Sequence, residues 1–480
     1  MQKKKRVLVI ADLGGCPPHS FYESVAEKYH IISYVPRPFA ISAGHARYME
    51  EYSIAVVKDP DMLQDIEDYP HPSSIYWADG EYHKPEEQVV ADIKKVATLF
   101  EVDAITTNNE LFIVPMARAC DELGLRGAGY EAAKKARDKN LMRESFNRSG
   151  LETVQSRRVK SLEDFLQAVE DIGLPVVLKP TYLASSIGVT LIDDEEQLER
   201  TFLDTVKALE GIPVPDAITY EAPFIVERYL QGEAGDWYEE PGYGDYVSVE
   251  GMMVNGTYYP LVINDKTPLI KFTETSHITP SILDSASKAL IIEAARKANE
   301  GLGLAYCSTH TELKLMKGKK VGVIETAARF GGWDLIPQIR TSFGVNAPTM
   351  LCDLLVDGQS DDLPLKVLDV PRQYSAVLNL YLTDFKTQYT FDSDQIKVQS
   401  LELNEETQLV GDTSITAFSA PEKGTVVNVD TDFESLYALA TVNFVSSSPH
   451  DLKRSIENIR QHSELVFSPC TEHQLEESKS

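Results

Sequence analysis

The chain has 480 residues, 43% of them hydrophobic and 25% charged, which suits about three soluble domains of roughly 150 residues each. Its formal net charge of -28 repels nucleic-acid phosphates and anionic lipid alike. A general nucleic-acid or membrane-surface role is therefore excluded, and any anionic ligand must find its cations gathered locally.

At the N-terminus, Lys3-Lys4-Lys5-Arg6 before an apolar run at 7–11 mimics a secretion signal. The run is too short and passes straight into Asp12-Leu13-Gly14-Gly15, so it reads as a first β-strand entering a loop. No stretch reaches the ~18 apolar residues of a membrane span. Residues 31–35, 54–57 and 104–106 read as further strands, and 89–100 and 112–123 as helices. That alternation predicts a parallel sheet with crossover helices over residues 1–138. Gly14-Gly15 lacks the GxGxxG spacing and reads as a loop at the carboxyl edge of that sheet.

From Asp138 the pattern changes. Helices are expected at 138–149 and 161–172, the second with Ser161 as N-cap and Glu163 and Asp164 in its first turn. A strand at 175–179 ends in Lys179, and Asn255-Gly256 between apolar residues signals a hairpin over 252–259. Residues 139–365 thus read as an α+β unit. Residues 366–480 carry strand patterns at 375–382 and 424–429, a helix at 449–462 and a polar tail. Five scattered cysteines (Cys16, Cys120, Cys307, Cys352 and Cys470) form no CxxC pair, which points to reduced thiols in a cytoplasm and against a disulfide framework or zinc site.

Segment 309–329 is the most informative. It reads as two strands, 310–316 and 321–326, around Lys317-Gly318-Lys319-Lys320. A turn centred on Gly318-Lys319 puts Glu312 opposite Glu325, on one face with His310, Lys314, Met316, Val321 and Val323. Facing carboxylates repel, so something must compensate. Lys314 or water could screen an exposed pair; a divalent cation with phosphate partners is the other solution, and oxygen ligands suit Mg²⁺. Arg329 follows near the same face, and Gly331-Gly332 would allow close approach of a ligand.

Lys179 precedes a small-residue stretch, Ala184-Ser185-Ser186-Ile187-Gly188-Val189. Such a turn can close backbone amides and hydroxyls over phosphates, with the lysine as a point charge; it can equally be a plain hairpin. Lys139 opens a helix, and Glu227-Arg228-Tyr229-Leu230 follows an apolar strand and could offer its main chain to a planar base.

In this order, Lys139, Lys179, Ser185-Ser186, Glu227 to Leu230, Glu312, Glu325 and Arg329 resemble the ATP-grasp superfamily. The stretches 10–19, Thr106-Thr107-Asn108-Asn109-Glu110, 179–186 and Thr273-Glu274-Thr275-Ser276-His277 are similar to the bacterial L-amino acid ligases, and the similarity runs over nearly the whole chain. The resemblance implies a mixed α/β and α+β architecture. Its parts are an N-terminal parallel-sheet (pre-ATP-grasp) domain at 1–138, an ATP-grasp domain at 139–365 with a lid around 180–235, and a β-rich C-terminal domain at 366–480.

The same resemblance implies roles for residues. Lys139 and Lys179 would hold the phosphates of ATP, under a lid loop with Ser185 and Ser186. Glu227, Arg228, Tyr229 and Leu230 would meet the adenine, and Glu233 the ribose. Glu312 and Glu325 would hold two Mg²⁺ ions, with Mn²⁺ as a substitute. The superfamily's usual third ligand, an Asn, is Ala327 here, so Glu110 is the candidate for the second metal. Arg329 would bind the reacting carboxylate and, with Gly331 and Gly332, the oxyanion. Glu110, Glu274, His277, His310, Phe330 and Trp333 would surround the amino acids. Either His277 or Glu274 would take the amine's proton.

The activity implied is an ATP-dependent, ADP-forming ligation of two amino acids through an aminoacyl phosphate. A small first residue such as alanine would be joined to a bulkier or non-proteinogenic one, in dipeptide-antibiotic biosynthesis. A homodimer is compatible with it. Another ATP-grasp carboxylate–amine ligase or carboxylase, or a non-catalytic nucleotide-binding regulator, are the competing readings.

Overall fold

A computed structural model describes residues 4–12, 14–36, 41–58, 85–181, 186, 188–209, 223–270, 272–386, 388–391, 393–404, 408–429 and 438–469. Strand β1 (Arg6–Ile10) lies parallel between β2 (His30–Tyr34) and β4 (Ala104–Thr107), and β3 (Ser53–Val57) extends the sheet beyond β2. These strands are buried almost throughout, as parallel strands covered on both faces are. Leu8, Ile10 and Ile32 pack against helices Glu86–Leu99 and Ile113–Leu123. Val7, Val9 and Ile31 face the other way, onto helix Pro18–Ala26 and two helices from much later in the chain, Leu335–Phe343 and Ala347–Asp357.

A second, antiparallel sheet orders β5 (Ser156–Val159), β8 (Phe224–Arg228), β6 (Val176–Pro180) and β7 (Thr190–Ile192). The expected helix with Ser161 as cap is Leu162–Ile172, where the Ser161 hydroxyl accepts from the Asp164 amide. Its Phe165, Val169 and Ile172 cover this sheet together with Phe202.

The largest sheet has eight strands in the order β13 (Lys320–Ala327), β12 (Cys307–Met316), β9 (Tyr246–Val254), β10 (Thr257–Lys266), β11 (Ser276–Thr279), β14 (Tyr374–Leu380), β18 (Ala440–Ser446) and β16 (Ser414–Ser419). The hairpin read at Asn255-Gly256 joins β9 and β10, with φ of 50 and 79 at its two corners, the left-handed values a two-residue turn needs. The sheet continues past residue 366, because β14, β16 and β18 complete it. Helices Ser285–Leu302 and Pro449–His462 cover its core face, and the capping serine of the latter is Ser448. A separate three-stranded sheet orders β17 (Val426–Asn428), β15 (Gln395–Glu402) and β19 (Glu464–Pro469). Among the described residues no helix is long and apolar enough to cross a membrane.

Candidate active site

The β12–β13 hairpin does place Glu312 opposite Glu325, by a route the turn alone does not predict. The turn pairs Met316 with Lys320, Leu315 with Val321 and Leu313 with Val323, one residue short of the expected register. A bulge then passes over Ile324 and restores the pairing at Glu312–Glu325, Thr311–Thr326 and His310–Ala327. Val321 and Val323 therefore turn to the core face with Leu313 and Leu315, not to the glutamates' face, a correction of the expected pattern.

The two glutamates cannot both ionise freely. Burial and the facing Glu325 raise the Glu312 carboxyl above its ordinary range. Burial also opposes ionisation of Glu325, but Lys139, Lys179 and Arg329 outweigh it and draw its pKa down. Lys139 Nζ stands 3.5 Å from Glu325 Oε2. His310 bridges two carboxylates, with Nδ1 2.6 Å from Glu250 Oε1 and Nε2 3.4 Å from Glu312 Oε1. Burial works against its charge, but Glu250 and Glu312 raise it to about 10. Among the described residues no group of three or more His, Cys, Asp and Glu side chains forms a metal-holding cluster. What the hairpin offers is two carboxylates of opposite tendency, a donor set that fits Mg²⁺ once phosphate oxygens join it.

Lys139 opens helix Lys139–Arg148, whose N-cap Asp138 accepts from the amides of Asn140 and Leu141. Lys179, near the end of β6, donates to Glu227 Oε2 at 2.8 Å. Arg143 Nε donates to the other oxygen, Glu227 Oε1, at 2.5 Å. Burial opposes the Glu227 charge, but Arg143 and Lys179 bring its pKa to about 2. Both Glu227 oxygens are thus engaged. The Arg228 guanidinium turns away, to Gln155 Oε1 at 3.1 Å and to the Ile172 carbonyl. Lys314 Nζ lies 6.0 Å from the Tyr229 ring centroid and pairs with Asp245 at 2.7 Å. Leu230 packs so close to Gly322 that a Cβ there would meet its methyls at 3.1 Å. The Glu233 amide donates to the Leu315 carbonyl at 2.7 Å while its side chain is exposed. Ser186, at φ 57, donates to the Phe272 carbonyl at 3.1 Å. Ser185 lies outside the described residues.

Arg329 Nε pairs with Glu110 Oε2 at 2.6 Å, and Arg137 Nε stands 3.8 Å from Glu110 Oε1. Burial disfavours the Arg329 charge, but Glu110 and Glu325 outweigh it and raise its pKa. Glu110 is therefore engaged by two arginines. Phe330 is a core residue at 1% exposure, packed in the N-terminal sheet's cluster, so its side chain does not line the site. The Gly331 amide already donates to Glu250 Oε2 at 3.1 Å. A Cβ at Gly331 would come within 2.7 Å of His310 Nδ1, which is why glycine is needed there. Gly332 has open space beside it, and Trp333, half-buried, sits at φ 55.

His277 is fully buried. Its Nε2 stands 3.2 Å from Glu274 Oε2, and Lys266 Nζ contacts its Nδ1 and lies 3.2 Å from Glu274 Oε1. Burial and Lys266 lower His277 to about 3. Burial opposes the Glu274 charge, yet the Lys266 ammonium outweighs it and takes it to about 2. Both groups are weak bases in this arrangement, with the Glu274 carboxylate held near 2 and the His277 imidazole near 3.

Sequence reading missed Glu250, Lys266 and Arg143. A lone charge inside the buried β9 run was the available signal for Glu250; Lys266 closes the polar run Asn264-Asp265-Lys266 at the end of β10, which gives no such mark. Arg143 is one cation on an amphipathic helix and carries no such mark.

An ATP-grasp domain model matches residues 172–336, the span that holds Lys179, Glu227, Glu274, His277, Glu312, Glu325 and Arg329. The chain is 53% identical over 466 residues to the alanine–anticapsin ligase of Bacillus subtilis (strain 168), covering 97% of this chain and 98% of that one. The alanine–anticapsin ligase of Bacillus amyloliquefaciens is equally similar, at 53% over 97% of this chain and 98% of its own. Among solved structures, an L-amino acid ligase from Bacillus licheniformis superposes with a TM-score of 0.71 at 17% identity, over 98% of this chain and 100% of that one. The chain belongs to the alanine–anticapsin ligase family of ATP-grasp enzymes, and it is an ATP-dependent carbon–nitrogen ligase that forms dipeptides.

Proposed function

We propose that this enzyme joins a small first amino acid, alanine above all, to a bulkier or non-proteinogenic second one of the anticapsin type, as a step in making a dipeptide antibiotic. The observation that carries the reading is the facing pair Glu312–Glu325 with Lys139 at 3.5 Å, inside a chain 53% identical to alanine–anticapsin ligases. The first amino acid's carboxylate would displace ADP from the γ-phosphorus, giving an aminoacyl phosphate. The second amino acid's amine would then displace phosphate and lose a proton.

Lys139 and Lys179 would bind the ATP phosphates, Lys179 by turning from Glu227. Glu312 and Glu325 would hold Mg²⁺, with Mn²⁺ an expected substitute; the metal supplies neutralisation of phosphate charge when bound. Glu110, expected as a further metal ligand, is better read as orienting Arg329, which would hold the reacting carboxylate and later its oxyanion. Of the two glycine amides expected at that oxyanion, Gly332 keeps the role, since Glu250 occupies that of Gly331. Glu274, held ionised beside Lys266, suits an ammonium anchor more than a base, and His277 orients it. Trp333 would close the first amino acid's pocket to large side chains.

A cytoplasmic setting is supported by Cys16, Cys120, Cys307 and Cys352, all free and buried. The assembly proposed is a homodimer, which sedimentation would test. The deciding experiment is a pairwise amino-acid screen without any biotin protein, reading phosphate release and product mass together. Phosphate release with alanine and a bulky partner, and a product lighter by one water than the pair, is expected. Release of ADP only with bicarbonate and a biotin carrier would instead favour a carboxylase.

A further inference from the structure

The β12–β13 bulge decides which residue faces Glu312. In the register set by the turn, Ile324 would stand opposite Glu312, and Glu325 would fall opposite Thr311 on the buried face. The bulge skips Ile324 and so delivers Glu325 to the glutamates' face. A bulge also interrupts the ladder, and its carbonyls need partners from elsewhere.

Arg143 provides them. It is 2% exposed, on helix Lys139–Arg148, one turn beyond Lys139. Its Nη1 donates to the Val323 carbonyl at 2.8 Å and its Nη2 to the Ile324 carbonyl at 3.0 Å. Its Nε donates to Glu227 Oε1, whose other oxygen receives Lys179. One planar fork thus spans the bulge on β13 and the carboxylate on β8. A lysine's single ammonium could not reproduce that geometry.

We propose that Arg143 is a positioning residue for the ligase reaction: it fixes the Ile324 bulge that presents Glu325 beside Glu312, and through Glu227 it sets the resting place of Lys179. The inference rests on the reading that Glu312 and Glu325 hold Mg²⁺.

The test is calorimetric titration of ADP binding against Mg²⁺ concentration in the full chain. Arg143→Lys and Arg143→Met are compared with Glu312→Gln, and each variant's fold is checked by circular dichroism. In folded Arg143→Lys, the half-saturating Mg²⁺ should rise about tenfold, the low end of what supporting residues of metal sites cost. The KM for each amino acid should stay near wild type. A folded Arg143→Lys with wild-type Mg²⁺ dependence, while Glu312→Gln is shifted, would overturn the role given to Arg143 alone. If Glu312→Gln were also unshifted, the metal reading of the pair would fall and the inference with it. Loss of the fold in both Arg143 variants would overturn it as well, by making Arg143 a purely structural residue.

Discussion

Glu227 and the Glu312–Glu325 pair are both carboxylate centres in the interior, yet they settle their charge in opposite ways. Glu227 meets Arg143 and Lys179, one on each oxygen, and its pKa falls to about 2. Glu312 and Glu325 meet each other, and Glu312 is pushed up as a result. The first centre is complete without a ligand. The second has Lys139 beside Glu325 and His310 beside Glu312, yet Glu312 is still pushed up, so a cation from outside the chain would be accommodated there. The difference separates scaffold from working surface, and it predicts that mutations in the two places fail differently.

The largest expected effect comes from Glu312→Gln or Glu325→Gln. Either should slow dipeptide formation by about 10³-fold or more, several kcal/mol of lost charge stabilisation, and in Glu312→Gln the melting temperature should hold or rise because a repulsion is gone. A fall in melting temperature comparable to that of a Glu227 variant would break the comparison. Glu227→Gln should do the reverse in emphasis and cost about 3 kcal/mol of unfolding free energy in denaturant titration, because Arg143 and Lys179 lose their counter-charge in a buried setting. An unchanged denaturation midpoint would show that the scaffold role is misplaced.

A third contrast uses pH. His277 is held near 3, below its ordinary 6.5, so the folded chain keeps it neutral where the unfolded chain would charge it. Between pH 6.5 and 3 the unfolded state binds the extra proton, and this group's contribution to stability falls as pH falls. Wild type should therefore lose stability relative to His277→Gln across that window, with a level difference above pH 6.5. A difference that stays level down to pH 3 would contradict the buried, neutral histidine. The smallest effect concerns specificity. Trp333→Ala should admit larger first amino acids, moving kcat/KM ratios by about tenfold. An active variant with the wild-type preference would remove Trp333 from the pocket.

Local features of this fold were legible in the sequence because local rules govern them. Ser161 caps the helix that follows, and Asn255-Gly256 turns a hairpin, each through contacts within a few residues. The face-to-face glutamates were also legible, although a turn register without the bulge puts Val321 and Val323 on the wrong face. A bulge at Ile324 depends on what Arg143 offers from another element, so no spacing rule on the hairpin could have found it. The same limit applied to Glu110, which lies 219 positions from the Arg329 it engages. Glu250 reaches both His310 and Gly331 only once β9 lies beside β12. Residue types announced the chemistry; the pairings among them are tertiary.

The bulge also bears on how this hairpin tolerates changes of length. Removing Ile324 would leave an unbroken ladder in which the two glutamates still stand opposite each other, because the turn's own register would then run through to the end of the strand. As far as alignment of the acids goes, that residue is redundant. Its main chain is not, since the Ile324 carbonyl is one of the two that Arg143 of helix Lys139–Arg148 holds on the strand. A one-residue deletion there would keep the letters of the site in place and cut one of its moorings, separating alignment from anchorage in a single step.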